Sequence, residues 1–290
     1  MIKKPDVTVA GPGALGSVLI KVLELSGFSV KSVISRNTKQ KLGSGFQHLT
    51  VTDYESVQPE HIGKIVFITT PDDVINEITE RLSQIHITWH DKMVAHCSGF
   101  LASDILQPIK EKGGSVAAFH PIQTFVKQSE NTVFKDIYIS IEGDKIASTF
   151  FEEIARALGG RPLFVNPQQK RILHIAAVFI SNYVVSLGAI SDALIRENIP
   201  GVDFKLLFPL LNNTVQNLKH TGPVEALSGP ISRGDIETIG RHLEELEEND
   251  PLLILYKLLG SQVLKIAENK GTADSGSLSE IRKLLEHNQG

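Results

Sequence analysis

Hydrophobic and polar residues follow two different patterns along this chain. Up to about residue 165, short apolar runs alternate with segments of helical period, which predicts a mostly parallel sheet with helices on both faces. Strands are predicted at 7–10, 29–34, 64–69, 92–96, 115–118, 137–141 and 162–165, and helices at 17–26, 73–83 and 145–158. We expect Gly27 to follow the end of the first helix and Asp72 to cap the second.

After Pro167 apolar residues recur only at helical spacing. Residues 168–197 predict one long, largely buried helix that Gly188 alone interrupts. Further helices are predicted at 204–219 with Pro209 as a kink or restart, at 235–248 capped by Asp235, at 251–269 opening on Pro251, and at 277–286 opening on a capping box from Ser277 to Glu280. The second part of the chain is therefore predicted to be all helical.

The first predicted strand leads directly into a glycine motif with the spacing G-x-G-x-x-G, namely Gly11, Pro12, Gly13, Ala14, Leu15 and Gly16. Between a strand and a helix, these glycines permit a tight turn, close approach of the backbone to a pyrophosphate, and packing of the helix on the strand. The helix N-terminus also offers free N–H groups to the phosphates. We therefore expect an N-terminal Rossmann-type parallel sheet domain at 1–166 that binds a dinucleotide, and an all-helical C-terminal substrate and dimerisation domain at 167–290.

The residues after the second predicted strand indicate which dinucleotide binds. A free ribose 2′-hydroxyl usually meets an acidic residue there, but the chain reads Ser35-Arg36-Asn37. Arg36 could instead form charge-assisted hydrogen bonds with a 2′-phosphate, so NADP (NADPH) is the expected cofactor. Two later strand ends, at Thr70-Pro71 and Ser98, are expected to line the nicotinamide side. The competing interpretation makes Arg36 a solvated loop residue.

Composition narrows the class of protein. In 290 residues the net charge is −4, which gives no electrostatic reason to bind nucleic acid or an anionic membrane. The single cysteine, Cys97, fits a reducing, cytoplasmic compartment, and residues 1–6 show no signal peptide. We find no unbroken run of about 18 apolar residues, no spacing typical of metal ligands, and no Gly-x-Ser-x-Gly.

Candidate chemistry lies on one helix and one strand end. Lys170 and His174 are four residues apart, so they share a helix face, which Ala177 and Ser181 continue with Asn182 at its edge. Either Lys170 or His174 could give the proton that accompanies hydride transfer. The other interpretation makes them a surface lysine and a core histidine.

Two further places offer substrate contacts. His120 follows a predicted strand and could bind a substrate anion or donate a proton, and Gln123 could contact the substrate. A structural histidine that holds a loop in place is equally consistent with His120. Arg233, in Ser228-Gly229-Pro230-Ile231-Ser232-Arg233-Gly234-Asp235, could reach an anionic ligand or simply belong to a turn before a helix cap.

In combination these motifs resemble a known group. The glycine motif, Pro71-Asp72, 96–99, 120–125, His174 with 181–183, and 228–235 are similar to bacterial proteins that pair a Rossmann-like domain with a C-terminal helical domain of unknown function. That group resembles in turn the β-hydroxyacid dehydrogenases, pyrroline-5-carboxylate reductases and ketopantoate reductases. The resemblance implies an oxidoreductase whose helical domain often forms the dimer. In the hydroxyacid dehydrogenases a lysine on the first long helix is the acid/base, and Lys170 fits its place, while His174 stands where they have asparagine.

The sequence thus predicts an NADP-dependent oxidoreductase that transfers hydride to a small keto acid or imine in a cleft between the domains. A homodimer is expected from the apolar helical half. The alternatives are a non-catalytic NADP-binding sensor or scaffold, or a different adenine nucleotide in the same glycine motif.

Overall fold

A single eight-stranded sheet organises the first part of the molecule. The structure, a computed structural model, describes residues 4–36, 48–126, 130–246 and 251–286. The strands are β1 Asp6–Ala10, β2 Ser29–Ile34, β3 Thr50–Thr52, β4 Ile65–Ile68, β5 Met93–His96, β6 Ser115–Pro121, β7 Tyr138–Gly143 and β8 Arg161–Phe164. Their order is β3-β2-β1-β4-β5-β6-β7-β8, and every neighbouring pair is parallel except β6 and β7.

Helices connect the strands and then make up the rest of the chain. They are α1 Ala14–Leu25, α2 Asp72–Ser83, α3 Gln107–Glu111, α4 Lys145–Ala157, α5 Pro167–Ile180, α6 Asn182–Asn198, α7 Phe208–Glu225, α8 Pro230–Arg233, α9 Ile236–Glu244, α10 Pro251–Lys270 and α11 Ser275–Leu285. A parallel sheet with interleaved helices, followed by helices alone, confirms the predicted fold class.

Alternate residues of the buried strands supply two cores. Ile65 and Phe67 face α1 and α4, whereas Val66 and Ile68 face α2 and α3. The Phe67 ring packs edge-on against Phe119 and Phe151 at centroid distances of 5.3 and 5.4 Å. Both faces of the sheet are therefore covered, which explains why its central strands are continuous apolar runs rather than alternating ones.

The order of the strands creates one crevice. From β1 the chain passes to β2 on one side, and later returns to β4 on the other side of β1. Ligands of open parallel sheets bind at the carboxyl ends of the strands where the order reverses in this way. Here that place lies between Gly11, directly after β1, and Thr69, directly after β4.

The chain forms two compact units, Met1–Leu187 and Gly188–Gly290. The first unit therefore contains the sheet together with α5 and the beginning of α6. The boundary predicted near residue 166 lies at the change from strands to helices, whereas the two compact units divide after Leu187. Within the second unit, α8, α9, α10 and α11 share a small core around Ile239 and Ile281.

The prediction of one long, buried helix at 168–197 is wrong on two points. The helix breaks at Ser181 (φ −116°, ψ −73°), whose hydroxyl and backbone N–H both donate to the Ala177 carbonyl oxygen, at 2.6 and 3.0 Å. Of its residues, only Lys170 and Ile195 are buried. Apolar spacing revealed the helical period but could not reveal what covers the apolar face.

Several helix ends also differ from the predictions. Asp274, not Ser277, caps α11, since its carboxylate accepts from the Ser277 backbone N–H at 2.9 Å. Asp72 is the first residue of α2 and makes no capping bond there. Asp235 caps α9 as expected, and Pro209 lies in the first turn of α7, which is the predicted restart.

From the lack of an unbroken run of about 18 apolar residues, we expect no membrane-spanning segment. Averaged over a window, the stretch Pro167–Asn198 reaches a mean hydropathy of 1.8, which by length and composition alone would suffice. The break at Ser181 divides this stretch into two shorter helices.

Candidate functional site

The turn after β1 has the geometry that its glycines predict. Gly11 has φ +95°, and a Cβ there would lie 2.5 Å from Thr70 Cγ2, so both its backbone angle and the close approach of Thr70 require glycine. A Cβ on Gly16 would lie 2.5 Å from Thr69 Oγ1 and even closer to the Gly11 carbonyl. Thr69 Oγ1 donates to that carbonyl at 2.6 Å, which joins the turn to the end of β4.

The middle glycine is different because it faces open space. A Cβ on Gly13 would have no atom within 4 Å, and Gly13 is the N-cap of α1, whose first turn carries no acidic residue. Across the crevice, Thr70 Oγ1 is buried without a hydrogen-bond partner in the described part of the chain. Open space, helix N–H groups and an unpaired hydroxyl therefore fit a dinucleotide pyrophosphate.

A cavity of about 380 Å³ adjoins this crevice. We call it the arginine cavity; it is lined by Arg36, Asp53, Tyr54, Glu55, Thr70, Val74, Glu77, Ile78 and Arg81. Arg81 pairs with Glu77 at 2.9 Å, whereas Arg36 lies close enough to Tyr54 to influence its hydroxyl. Burial raises the pKa of Tyr54 to about 12, and Arg36 opposes that rise. Ser35 is buried directly before Arg36.

Ser98 follows β5 and organises a tight turn. Its hydroxyl donates to Asp72 Oδ2 at 2.7 Å and accepts from the backbone N–H groups of Phe100 and Leu101 at 3.1 and 2.9 Å. These three bonds use the whole capacity of a hydroxyl group. The bond to Ser98 also shows what Asp72 does instead of capping α2. Ser98 was predicted to contact the cofactor. In the structure its side chain joins the turn after β5 to Asp72, at the start of the helix that follows β4.

Lys170 lies beneath this turn. The side chain is 1% exposed, and Nζ donates to the Ser98 carbonyl oxygen at 2.6 Å. Burial lowers the pKa of Lys170 to about 8, although Cys97, Glu142 and Asp72 raise it in part.

The helix that carries Lys170, α5, begins with a capping box. Asn166 and Gln169 exchange side-chain to backbone hydrogen bonds of 2.9 and 2.8 Å there.

A larger cavity, of about 700 Å³, lies between the end of β6 and the helices α5 and α6. We call it the histidine cavity; it is lined by His120, Ile122, Gln123, Thr124, His174, Ala177, Val178, Ile180, Ser181, Asn182, Val184 and Val185. The structure thus brings together five residues predicted to act on substrate: His120, Gln123, His174, Ser181 and Asn182. Lys170, the sixth on this side, is not part of the lining.

The two histidines of the cavity are neighbours. Their ring centroids are 5.9 Å apart, and Nδ1 of His174 is buried without a partner among the described residues. Burial, with the positive charge of Lys170 next in importance, lowers the pKa of His120 to about 3, so this ring is neutral near pH 7. His120 can therefore exchange hydrogen bonds with a ligand but carries no charge.

Three residues near the cavity were missed or left without a role by the sequence predictions. His96 is fully buried, with Nε2 3.0 Å from the Ala102 carbonyl and a pKa that burial lowers to about 4. Glu142 accepts two bonds from Ser103. Gly99 lies against both cavity histidines. The partners of Glu142 and Gly99 are distant in sequence, so no local pattern could have shown their roles.

Two further residues singled out in the sequence are not part of the histidine cavity lining. Arg233 belongs to the second compact unit, where it lies 4.0 Å from Asp235 and is 65% exposed. Burial raises the pKa of the Cys97 thiol to about 12, which fits a packing role. Within the described ranges, no group of three or more His, Cys, Asp or Glu side chains could hold a metal ion.

Comparison with known families agrees with this architecture. Residues 2–121 match the Rossmann-like domain family, and residues 137–263 match a family described as a domain of unknown function (DUF2520). No curated protein matches the chain. The chain therefore carries a Rossmann-like domain followed by a DUF2520 domain, which confirms the resemblance found in the sequence.

Solved structures share the fold. A Bacteroides fragilis protein with a provisional assignment as an NADP oxidoreductase is 26% identical, with a TM-score of 0.77 over 92% of this chain and 100% of that one. Prephenate dehydrogenase from A. aeolicus, complexed with hydroxyphenyl propionate and NAD+, is 19% identical, with a TM-score of 0.56 over 91% and 96%. A reductive aminase from Aspergillus terreus, complexed with NADPH and ethyl-5-oxohexanoate, is 11% identical, with a TM-score of 0.59 over 97% and 92%. The fold is thus one that NAD(P)-dependent oxidoreductases use.

Proposed function

We propose that the protein is an NADP-dependent oxidoreductase that transfers hydride from NADPH to the carbonyl or imine carbon of a small keto acid or imine. The observation that carries this proposal is the pairing of two sites on one edge of the sheet. The glycine turn and the arginine cavity lie at the ends of β1, β2 and β4, and the histidine cavity lies at the end of β6.

The preference for NADP rests on Arg36. It lines the cavity where the adenosine end of a dinucleotide lies when the pyrophosphate is at the glycine turn. Arg81 in the same cavity is engaged by Glu77, which leaves Arg36 as the better candidate to receive a 2′-phosphate. Structures with this fold have been solved with NADPH and with NAD+, so the fold does not distinguish the two cofactors. The preference for NADP in this chain is therefore argued from Arg36 alone.

On the substrate side, the chain has to bind the acceptor and deliver a proton. When bound, NADPH would supply a hydride to the acceptor carbon, and the electron pair of the C=O or C=N bond would move to the oxygen or nitrogen. That atom then takes a proton, for which Lys170 or His174 is the proposed source. His174 lines the histidine cavity, whereas Lys170 lies outside that lining, with Nζ on the Ser98 carbonyl oxygen. Thr70, Pro71 and Ser98 would border the nicotinamide, while Gln123, Ser181 and Asn182 would contact the substrate.

The test is NADPH oxidation by the purified protein, followed by absorbance, with a panel of 2-keto acids and cyclic imines. We expect turnover with a member of the panel and its loss in His174→Ala, whose NADPH affinity should stay unchanged because His174 does not line the arginine cavity. Tight NADPH binding without turnover of any acceptor would favour the alternative, a non-catalytic NADP-binding sensor or scaffold.

We also propose that the protein is a homodimer. Large apolar side chains are exposed on each compact unit, among them Ile172, Phe179 and Ile180 in the first and Phe208, Leu210 and Leu258 in the second. Large exposed apolar surfaces are typical of protein interfaces, and two copies of one face can cover each other. The net charge of −4 does not favour an anionic lipid surface.

Light scattering, which measures the mass of the particle in solution, tests the proposed homodimer. We expect the mass of two chains at micromolar concentration, and a shift toward the single-chain mass in Phe179→Glu. A single-chain mass for the wild-type protein would overturn the dimer, and sedimentation with lipid vesicles would assign the face to a membrane. A soluble dimer with one buried cysteine would also agree with a cytoplasmic location.

A further inference from the structure

Gly99, in the turn after β5, makes room for the ring of His174 because glycine has no side chain. A Cβ on Gly99 would lie 2.8 Å from His174 Cε1, closer still to His174 Nδ1, and 3.0 Å from His120 Nε2. Gly99 has no positive φ, so its backbone does not require glycine. What requires glycine is the packing of two imidazole rings against its Cα.

This packing determines which nitrogen of His174 carries the proton. Nδ1 is buried and has no hydrogen-bond partner in the described part of the chain. A hydrogen on Nδ1 would be a buried donor without an acceptor, and such donors are rarer in folded proteins than unpaired acceptors, whereas a lone pair can face the nearby Cα of Gly99. The neutral ring therefore places its N–H on Nε2, the other nitrogen of a side chain that lines the histidine cavity.

We infer that Gly99 is a positioning residue that fixes His174 in the tautomer with its proton on Nε2, and that this N–H binds the acceptor oxygen or nitrogen of the substrate. The ligand class is an acceptor atom with a free lone pair, as in a ketone or an imine. The identity of this ligand rests on the proposed function, whereas the tautomer rests on the packing alone.

The neighbouring groups agree with an N–H donor in this place. His120, on the other side of Gly99, is itself neutral, and Lys170 supplies a positive charge beneath the same turn. Phe100 packs edge-on against the His174 ring at a centroid distance of 6.2 Å, so an aromatic side chain also limits its rotation. A fixed N–H between these groups polarises an acceptor atom as it binds. Loss of that proton would leave an imidazolate, so in this arrangement His174 is a hydrogen-bond donor to the acceptor atom and not the source of the transferred proton.

Nitrogen-15 NMR of protein labelled in its histidine rings tests the tautomer without any substrate. His174→Ala identifies the resonances, and pyrrole-type and pyridine-type nitrogens have well-separated shifts. For the neutral form of His174 we expect a pyrrole-type Nε2 and a pyridine-type Nδ1, and displaced shifts in Gly99→Ala. A pyrrole-type Nδ1, or an unchanged His174 spectrum in Gly99→Ala, would overturn the inference.

A double variant separates positioning from general damage to the fold. Gly99→Ala alone should lower the melting temperature, and most of that loss should disappear in a His174→Ala background, where the new methyl group has room. Equal losses in both backgrounds would contradict a role through His174. Adding a small uncharged ketone with NADPH should then shift the Nε2 proton resonance. Absence of that shift while NADPH binds would overturn the donor role, whereas absence of NADPH binding itself would refute the proposed function.

Discussion

The ammonium nitrogen of Lys170 lies 2.6 Å from the carbonyl oxygen of Ser98, 72 residues earlier in the chain. This single bond connects the first helix after the sheet to the turn that follows β5. It also places a positive charge where the side chain is almost fully buried. Such a charge must influence stability, the neighbouring histidines, or both.

Stability should therefore change with pH in a way that depends on Lys170. Its pKa falls from 10.5 to about 8 on folding, so between those values the unfolded chain binds more protons than the native protein. The free energy of unfolding then rises with pH across this window, by on the order of 3 kcal/mol. Denaturant titrations of the wild type and Lys170→Met at several pH values should show this rise in the wild type only.

Methionine is a suitable control because it keeps the length of the side chain and removes the charge. At about pH 7 Lys170→Met should be as stable as the wild type or more so, since a buried charge is replaced by an apolar group. Wild-type and variant curves that run parallel from about pH 7 to about pH 10 would show that Lys170 titrates normally. Subtracting the Lys170→Met curve from the wild-type curve also cancels the contributions of Cys97 and Tyr54 to the pH dependence. Their raised pKa values make stability fall as pH rises, which is opposite to the effect of Lys170.

The glycine turn offers a pair of matched variants. Gly16→Ala places a methyl group against Thr69 Oγ1 and should cost about 1–3 kcal/mol of stability through overpacking. Gly13→Ala meets no protein atom within 4 Å and should cost less than about 1 kcal/mol. Yet Gly13→Ala should weaken NADPH binding by roughly tenfold or more, because the methyl group takes the space for the pyrophosphate.

Thermal unfolding and calorimetry would distinguish these effects. Unchanged NADPH affinity in a stable Gly13→Ala protein would place the pyrophosphate elsewhere. A loss of affinity that only follows the loss of stability in both variants would show that the open space at Gly13 has no specific role.

Two adjacent threonines should respond in opposite ways. Thr70 Oγ1 is buried and unpartnered in the described residues, so Thr70→Val should leave stability unchanged or raise it by up to about 1 kcal/mol. Thr69 Oγ1 donates to Gly11, so Thr69→Val should lose about 1 kcal/mol. If the Thr70 hydroxyl binds the cofactor, Thr70→Val also weakens NADPH binding by roughly two- to tenfold. Equal affinity in Thr70→Val and the wild type would exclude that bond.

Local sequence patterns predicted most of the fold. The apolar runs identified seven of the eight strands because buried parallel strands are continuous in hydrophobicity. β3 was missed because three residues, Thr50–Thr52, are too short to show a period. The break at Ser181 was missed because serine is compatible with a helix, and only its backbone angles reveal the interruption.

The candidate site could be predicted only in part for a similar reason. The helical spacing of His174 and Ser181 placed both on one face, and both line the histidine cavity. The same spacing placed Lys170 with them, but its side chain turns beneath the Ser98 turn, a contact between distant parts of the chain. The packing of Gly99 against His120 and His174 likewise joins three segments, so no local pattern could show it.

The most direct test of the cofactor assignment is a calorimetric titration of the folded, nucleotide-free protein with NADPH and, separately, with NADH. We expect tighter binding of NADPH, and a loss of roughly ten- to a hundredfold in NADPH affinity in Arg36→Ala, the size expected for a charge-assisted bond, with little change for NADH. Arg81→Ala is the matched control and should lose less, because Glu77 already engages that guanidinium. Binding of neither dinucleotide would contradict the oxidoreductase proposal at its foundation.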